Sequence, residues 1–205
     1  MVTTRTSRIA VFSLATLYPA LAHVPLAYAH VGVGETSGFT HGFAHPISGL
    51  DHVLAMILVG IFAFQLGGRA LWLVPAAFVG MMAVGGALGV AGITMPFVEL
   101  GIALSIIVLG AAVAFEVQAP VAIASGLVGL FAVFHGYAHG AEMPESAGGL
   151  AYAGGFMAAT ALLHIAGIGI GFAIGKIGQR VGPNVVRLIG GLAALAGIGI
   201  LTGTL

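Results

Sequence analysis

Cysteine is absent from the 205 residues, which excludes disulfides, thiolate metal sites and iron–sulfur ligation. Charge is almost as scarce: 6% of residues are Asp, Glu, Lys or Arg, against about 25% in an ordinary soluble domain. Six basic residues balance six acidic ones, and no basic run is present to hold nucleic acid. What remains is 60% hydrophobic, with a mean hydropathy of +1.15. Such a chain is an integral membrane protein. A hydrocarbon core of roughly 30 Å takes about 20 helical residues to cross, so the length holds at most about seven or eight spans and no soluble domain.

The first 29 residues have the pattern of a cleaved secretory signal. Arg5 and Arg8 precede an apolar stretch from Ile9 to Leu17, and "AYA" at Ala27 to Ala29 offers small residues where a signal peptidase reads. Pro19, His23 and Pro25 weaken the competing reading, an uncleaved extra span, and an "ALA" ending at Ala22 is an alternative cut. Cleavage after Ala29 makes His30 the mature amino terminus, followed by an outer segment over 30–44.

Apolar runs bounded by turn residues predict an all-α bundle of six transmembrane helices within 30–205. Their ranges are 45–66, 70–92, 97–115, 119–139, 148–174 and 185–205. Arg69 follows the first span, and Lys176, Arg180 and Arg187 cluster around the connection from the fifth to the sixth. By the positive-inside rule both connections are cytoplasmic, which puts the mature amino terminus outside. Glycine, at 34 residues, recurs at four-residue spacing in Gly136/Gly140, Gly167/Gly171/Gly175 and Gly199/Gly203, as close helix packing in lipid requires. "GFAIGKIG" is one residue short of a phosphate loop and closes a span instead of following a strand.

Ionisable residues inside such spans need a purpose. In "HPISGLDH", His45 is expected to cap the first span with Pro46 at its first helical position, and His52 follows almost two turns later on nearly the same face. Asp51 borders the same groove. The fourth span ends "FHGYAHGAE", where His135, His139 and Glu142 share one helix face at i, i+4 and i+7. His164 lies deeper, on the fifth span. Imidazole and carboxylate without thiolate suit a borderline divalent cation such as Ni, Co or Zn.

Bland readings exist for several of these. His164 could bond a carbonyl or hydroxyl of a neighbouring helix, and His30 and His41 could be solvated loop residues. Glu142 and Glu145 either draw cations to the mouth or keep a loop wet, while Glu99 and Glu116 read as solvated span edges. For Asp51, His52, His135 and His139 together the bland reading is poor, because it leaves four costly groups at similar depth without a shared role.

The two motifs in this order, the leader and the short glycine-rich six-span layout resemble the HupE/UreJ family of nickel/cobalt permeases associated with hydrogenase and urease maturation. The resemblance implies import of Ni²⁺ or Co²⁺ across the inner membrane of a Gram-negative-type cell, with no cofactor beyond the transported ion and no enzymatic activity. Carried over by position, it implies His45, Asp51, His52, His135, His139 and Glu142 as the metal-handling residues. His164 and the mature His30, whose free amine and imidazole would chelate together, are additions from the residues themselves. Two rival functions are an intramembrane zinc hydrolase, whose metal-bound water attacks an ester or amide, and a haem-binding electron carrier.

Overall fold

The computed structural model describes residues 38–143, 148–178 and 181–205. The expected leader, its cleavage site and His30 lie outside the described residues, as do Glu145 and Arg180. Seven α-helices and no strand occur among the described residues: α1 (Gly38–Ser48), α2 (Leu50–Leu66), α3 (Ala70–Val90), α4 (Val98–Ala114), α5 (Val121–Ala141), α6 (Gly149–Gly175) and α7 (Gly182–Leu201). The last five correspond to the second through sixth apolar runs, with ends displaced by only a few residues. Of these, α3, α5, α6 and α7 are long and apolar enough to cross a membrane, and α4 is apolar but shorter at 17 residues.

The first run departs from expectation. It is not one helix opening at His45 but two, α1 and α2, bent by 83°. Helix formation begins seven residues earlier, at Gly38, so His45 and Pro46 lie inside α1 and cap nothing. Near the end of a helix, the amide proton that Pro46 lacks removes only one bond, so the chain tolerates it there. The break comes at Gly49, whose extended backbone (φ −95°, ψ 122°) cannot continue a helix. Ser48 Oγ donates to the His45 carbonyl at 2.7 Å and ties off α1. On the far side, Asp51 sits in the first turn of α2 and its Oδ1 accepts the His52 N–H at 2.8 Å, a favourable place for negative charge.

The middle of α2 is buried on nearly every side, from Ala55 and Met56 through Phe62 and Ala63, which makes it the core of the bundle. Around it pack α3, α4 and α6, while α5 lies along α3 and α7 along α4. Leu130, Leu162, Ile165, Leu188, Leu192 and Leu195 point outward, as expected where the solvent is lipid. Glycine sets the helix spacing. A Cβ on Gly136 would strike the Met82 carbonyl and one on Gly140 the Gly86 carbonyl, so α3 and α5 touch backbone to backbone. Likewise Gly60 and Gly167 bring α2 against α6. The expected pair Gly199/Gly203 does not pack helices together: Gly203 lies beyond α7 in a left-handed turn (φ 69°).

Side-chain contacts fix how the helix ends are distributed. The end of α5 meets the start of α2 through His139 and His52, and the α3–α4 connection meets α5 through Met95 N–H and Tyr137 Oη at 3.3 Å. At the opposite end of the bundle, Gln65 near the end of α2 donates to the Val113 carbonyl near the end of α4 at 3.0 Å. There Glu116, read from sequence as solvated, instead takes a two-pronged ion pair from Arg187 at 3.1 and 3.2 Å. His45, His52, His135 and His139 therefore gather at one end and Arg69, Lys176 and Arg187 lie toward the other.

Candidate metal-binding site

At the histidine end, α2 and α5 each present imidazoles to the same point. His52 Nδ1 lies 3.0 Å from His139 Nε2 and 3.3 Å from His135 Nδ1. The i, i+4 spacing of His135 and His139 puts both on the face of α5 that meets α2. A tetrahedral ion bonded to imidazoles at about 2.0–2.1 Å holds their nitrogens roughly 3.3 Å apart, close to the two separations made by His52 Nδ1. His52 and His135 are almost wholly buried, at 1% and 0% exposure, so water is largely excluded from this point.

Ser105 on α4 orients the cluster. Its Oγ donates its one proton to the Ile102 carbonyl at 2.6 Å, so toward His135 Nε2, 2.9 Å away, it acts as acceptor. That places the His135 proton on Nε2 and leaves the Nδ1 lone pair facing His52. Nothing in the motifs marked Ser105; the available signal was a lone hydroxyl in the apolar run "IALSIIVL".

Above this cluster, toward the mouth, lies a second group. One ligand atom from each of His45, His139 and Glu142 falls within 4.8 Å of the others. This spread is wider than a single ion bonded directly to all three requires, and it suits a cation that keeps part of its water. His139 belongs to both groups and links them. The break at Gly49 makes the upper group possible, because it lets α1 lie against α6, where Gly42 meets the Tyr152 backbone and Gly155 the backbone of Phe39 and Phe43, and swings His45 to within 4.8 Å ring to ring of His139.

Phe156 on α6 walls both groups, with ring centroids 4.4 Å from His139, 5.4 Å from His52 and 6.4 Å from His45. Tyr152, one turn nearer the mouth, packs against His45 and against His41, whose ring lies 6.4 Å from His45. Neither aromatic was singled out from sequence, where an aromatic in an apolar span carries no signal of its own. Beside them, between α3, α5 and α6, an apolar cavity of about 520 Å³ is lined by Met82, Gly136, His139, Met143 and Phe156 among others.

Of the residues expected to act together, His45, His52, His135, His139 and Glu142 converge. Asp51 is adjacent, but its carboxylate is turned onto the first turn of α2. His164 is buried on α6, outside both groups.

Lipid-facing apolar helices around a buried imidazole cluster define a multi-pass membrane protein with a polar interior site. Comparison with known proteins gives the family: the HupE / UreJ protein family matches residues 18–200, and the chain belongs to it. Among curated proteins, it is 48% identical to Protein HupE of Rhizobium leguminosarum bv. viciae over 191 residues, covering 93% of this chain and 97% of that one. No solved structure matches.

Proposed function

We propose that this protein imports a divalent transition-metal ion, Ni²⁺ or Co²⁺, across the inner membrane to supply metalloenzyme maturation. The observation that carries the reading is the approach of two α5 ring nitrogens, on His139 and His135, to His52 Nδ1 at 3.0 and 3.3 Å inside an apolar bundle. Six passes are counted by taking α1 with α2 as one broken span and α4 as a short one. The histidine end faces the periplasm, opposite Arg69, Lys176 and Arg187. There Glu142, His45 and His139 attract and hold a partly hydrated cation, and His52 and His135 replace the rest of its water with imidazole nitrogen.

A zinc hydrolase needs a carboxylate beside its metal-bound water; Asp51 has one oxygen on the His52 backbone, and Glu142 groups with His45 and His139 at the mouth rather than with the buried His52 and His135. A haem carrier would need axial ligands on opposite faces of a flat cofactor, whereas these imidazoles converge on one point.

Uptake of radioactive nickel at low external concentration, by cells with and without the protein, tests the reading. His139→Ala, which removes a donor from both groups, is expected to lower uptake by about tenfold or more at normal protein level. Uptake equal to that of the unaltered protein would refute the site.

A further inference from the structure

His164 stands 15 residues into α6, roughly 22 Å along the helix from its start at 1.5 Å per residue. It is 1% exposed, and both its ring nitrogens are buried without a hydrogen-bond partner. Each unsatisfied buried polar atom costs about 1–3 kcal/mol, so for stability alone a leucine or phenylalanine would serve this position better.

The surroundings give the residue a direction. Thr160 and His164, one turn apart on α6, face Met82 and Phe78, one turn apart on α3. Thr160 Oγ1 donates to Met82 Sδ at 3.7 Å, and the Phe78 ring meets the His164 ring edge-on at 5.1 Å. The same Phe78 ring lies 5.8 Å from His135. One phenyl group thus touches both an imidazole of the histidine cluster and the lone deep imidazole. From the α2 side, the Gly60 backbone presses against the His164 carbonyl, which leaves no side chain of residue 60 between the two helices.

A cation path needs sites that bind well enough to admit the ion and weakly enough to release it, and neighbouring sites of graded strength meet both needs. A single three-imidazole cluster closed below by apolar side chains would trap its ion. We propose that His164 is the donor of a second, deeper holding point for the divalent cation, reached from the three-nitrogen cluster past the ring of Phe78. This deepens the transport reading of the preceding subsection and rests on it. At His164 one imidazole, with one nitrogen bearing its proton and the other a free lone pair, takes the ion after the stronger cluster and passes it inward. Thr160 and Met82 offer a hydroxyl and a thioether one turn above, along the step from one point to the next.

The test uses the full chain in lipid nanodiscs with Co²⁺ as the probe, counting ions bound per chain at saturation and following the visible ligand-field bands. His164→Gln keeps a polar side chain of similar reach. It is expected to remove one bound Co²⁺, to leave the bands of the three-nitrogen cluster in place, and to lower nickel uptake in cells by about tenfold. An unchanged ion count with uptake within about twofold of the unaltered protein would overturn the proposal. Should the variant fail to accumulate, crystals of the unaltered protein soaked in Co²⁺ decide: an anomalous peak within coordination distance of a His164 nitrogen supports the second point, and a peak confined to the upper cluster overturns it. If the unaltered protein neither binds Co²⁺ nor imports nickel, the transport reading itself falls. Normal transport with an indifferent His164→Gln overturns only the second holding point.

Discussion

Ser105→Ala is the sharpest perturbation of the three-histidine cluster, because it touches no proposed ligand atom. In the folded protein the hydroxyl proton goes to the Ile102 carbonyl and the oxygen accepts the His135 Nε2 proton, at 2.6 and 2.9 Å. Removal of the oxygen leaves a buried Nε2–H without an acceptor, at a cost of about 1–3 kcal/mol. His135 escapes this cost by moving its proton to Nδ1, where His52 Nδ1 lies 3.3 Å away as acceptor. In that tautomer the lone pair that faced the cluster is gone, so the ion loses one of three donors or must displace the proton. Loss of such an orienting partner typically lowers metal affinity by about 10–100-fold, or about 1.4–2.7 kcal/mol.

Nickel uptake measured across a range of external concentrations reads this directly. Ser105→Ala is expected to shift half-saturation upward by about tenfold or more, with protein level close to normal because the deleted group is a single oxygen. Ser105→Thr keeps the hydroxyl and is expected to retain most of the affinity, provided the added methyl group is accommodated at this fully buried position. Half-saturation for Ser105→Ala within about twofold of the unaltered protein would mean that the tautomer of His135 is not set from α4, and the argument for a directed lone pair would fail.

Two further outcomes follow from the packing. Gly136→Val would drive side-chain carbon into the Met82 carbonyl and force α3 from α5, which also separates His135 from its neighbours. Overpacking of this kind costs about 1–3 kcal/mol or more, so a lower unfolding temperature in detergent and weakened uptake are expected, and an unchanged unfolding temperature would contradict the close approach. Glu116→Gln breaks the ion pair with Arg187 at the end remote from the histidines. With both partners partly exposed, at 53% and 34%, the expected loss is about 0.2–1 kcal/mol of stability with nickel affinity unchanged; an affinity loss as large as that of Ser105→Ala would show that the two ends are coupled.

The parts of the molecule that were legible in the sequence are those governed by local pattern. Apolar runs separated by glycine, proline and charge located α3 through α7, because a lipid-embedded helix must satisfy its own backbone and stay apolar over its length. The i, i+4 pair His135 and His139 was readable because helical spacing alone puts them on one face. The break at Gly49 was not. Hydropathy runs almost uninterrupted across it, and Pro46 suggested a helix start; the outcome depends on a serine and an aspartate bonding back to the chain on either side of one glycine. Ser105, Phe78 and Phe156 escaped notice for a different reason. Each acts across helices, and residues 17 to 104 positions apart in sequence leave no local pattern to mark their meeting.

On the transport reading, the bend between α1 and α2 has a reason in the chemistry of the proposed cargo. A straight first span would set His45 and His52 almost two turns apart on one helix, about 10 Å at 1.5 Å per residue, too far for the two imidazoles to serve one ion. The 83° bend lays α1 against α6 instead, and His45 comes to the end of α5 beside His139 and Glu142 while His52 stays on α2 below. Two motifs far apart in the chain thereby supply both a wide upper group and a tight lower one, with His139 common to them. On that reading a hydrated divalent ion would lose its water in stages along such a series: the carboxylate and first imidazoles would meet it while water remains, and the buried nitrogens after. Any change that straightened the break would separate the stages even with every donor still present in the chain.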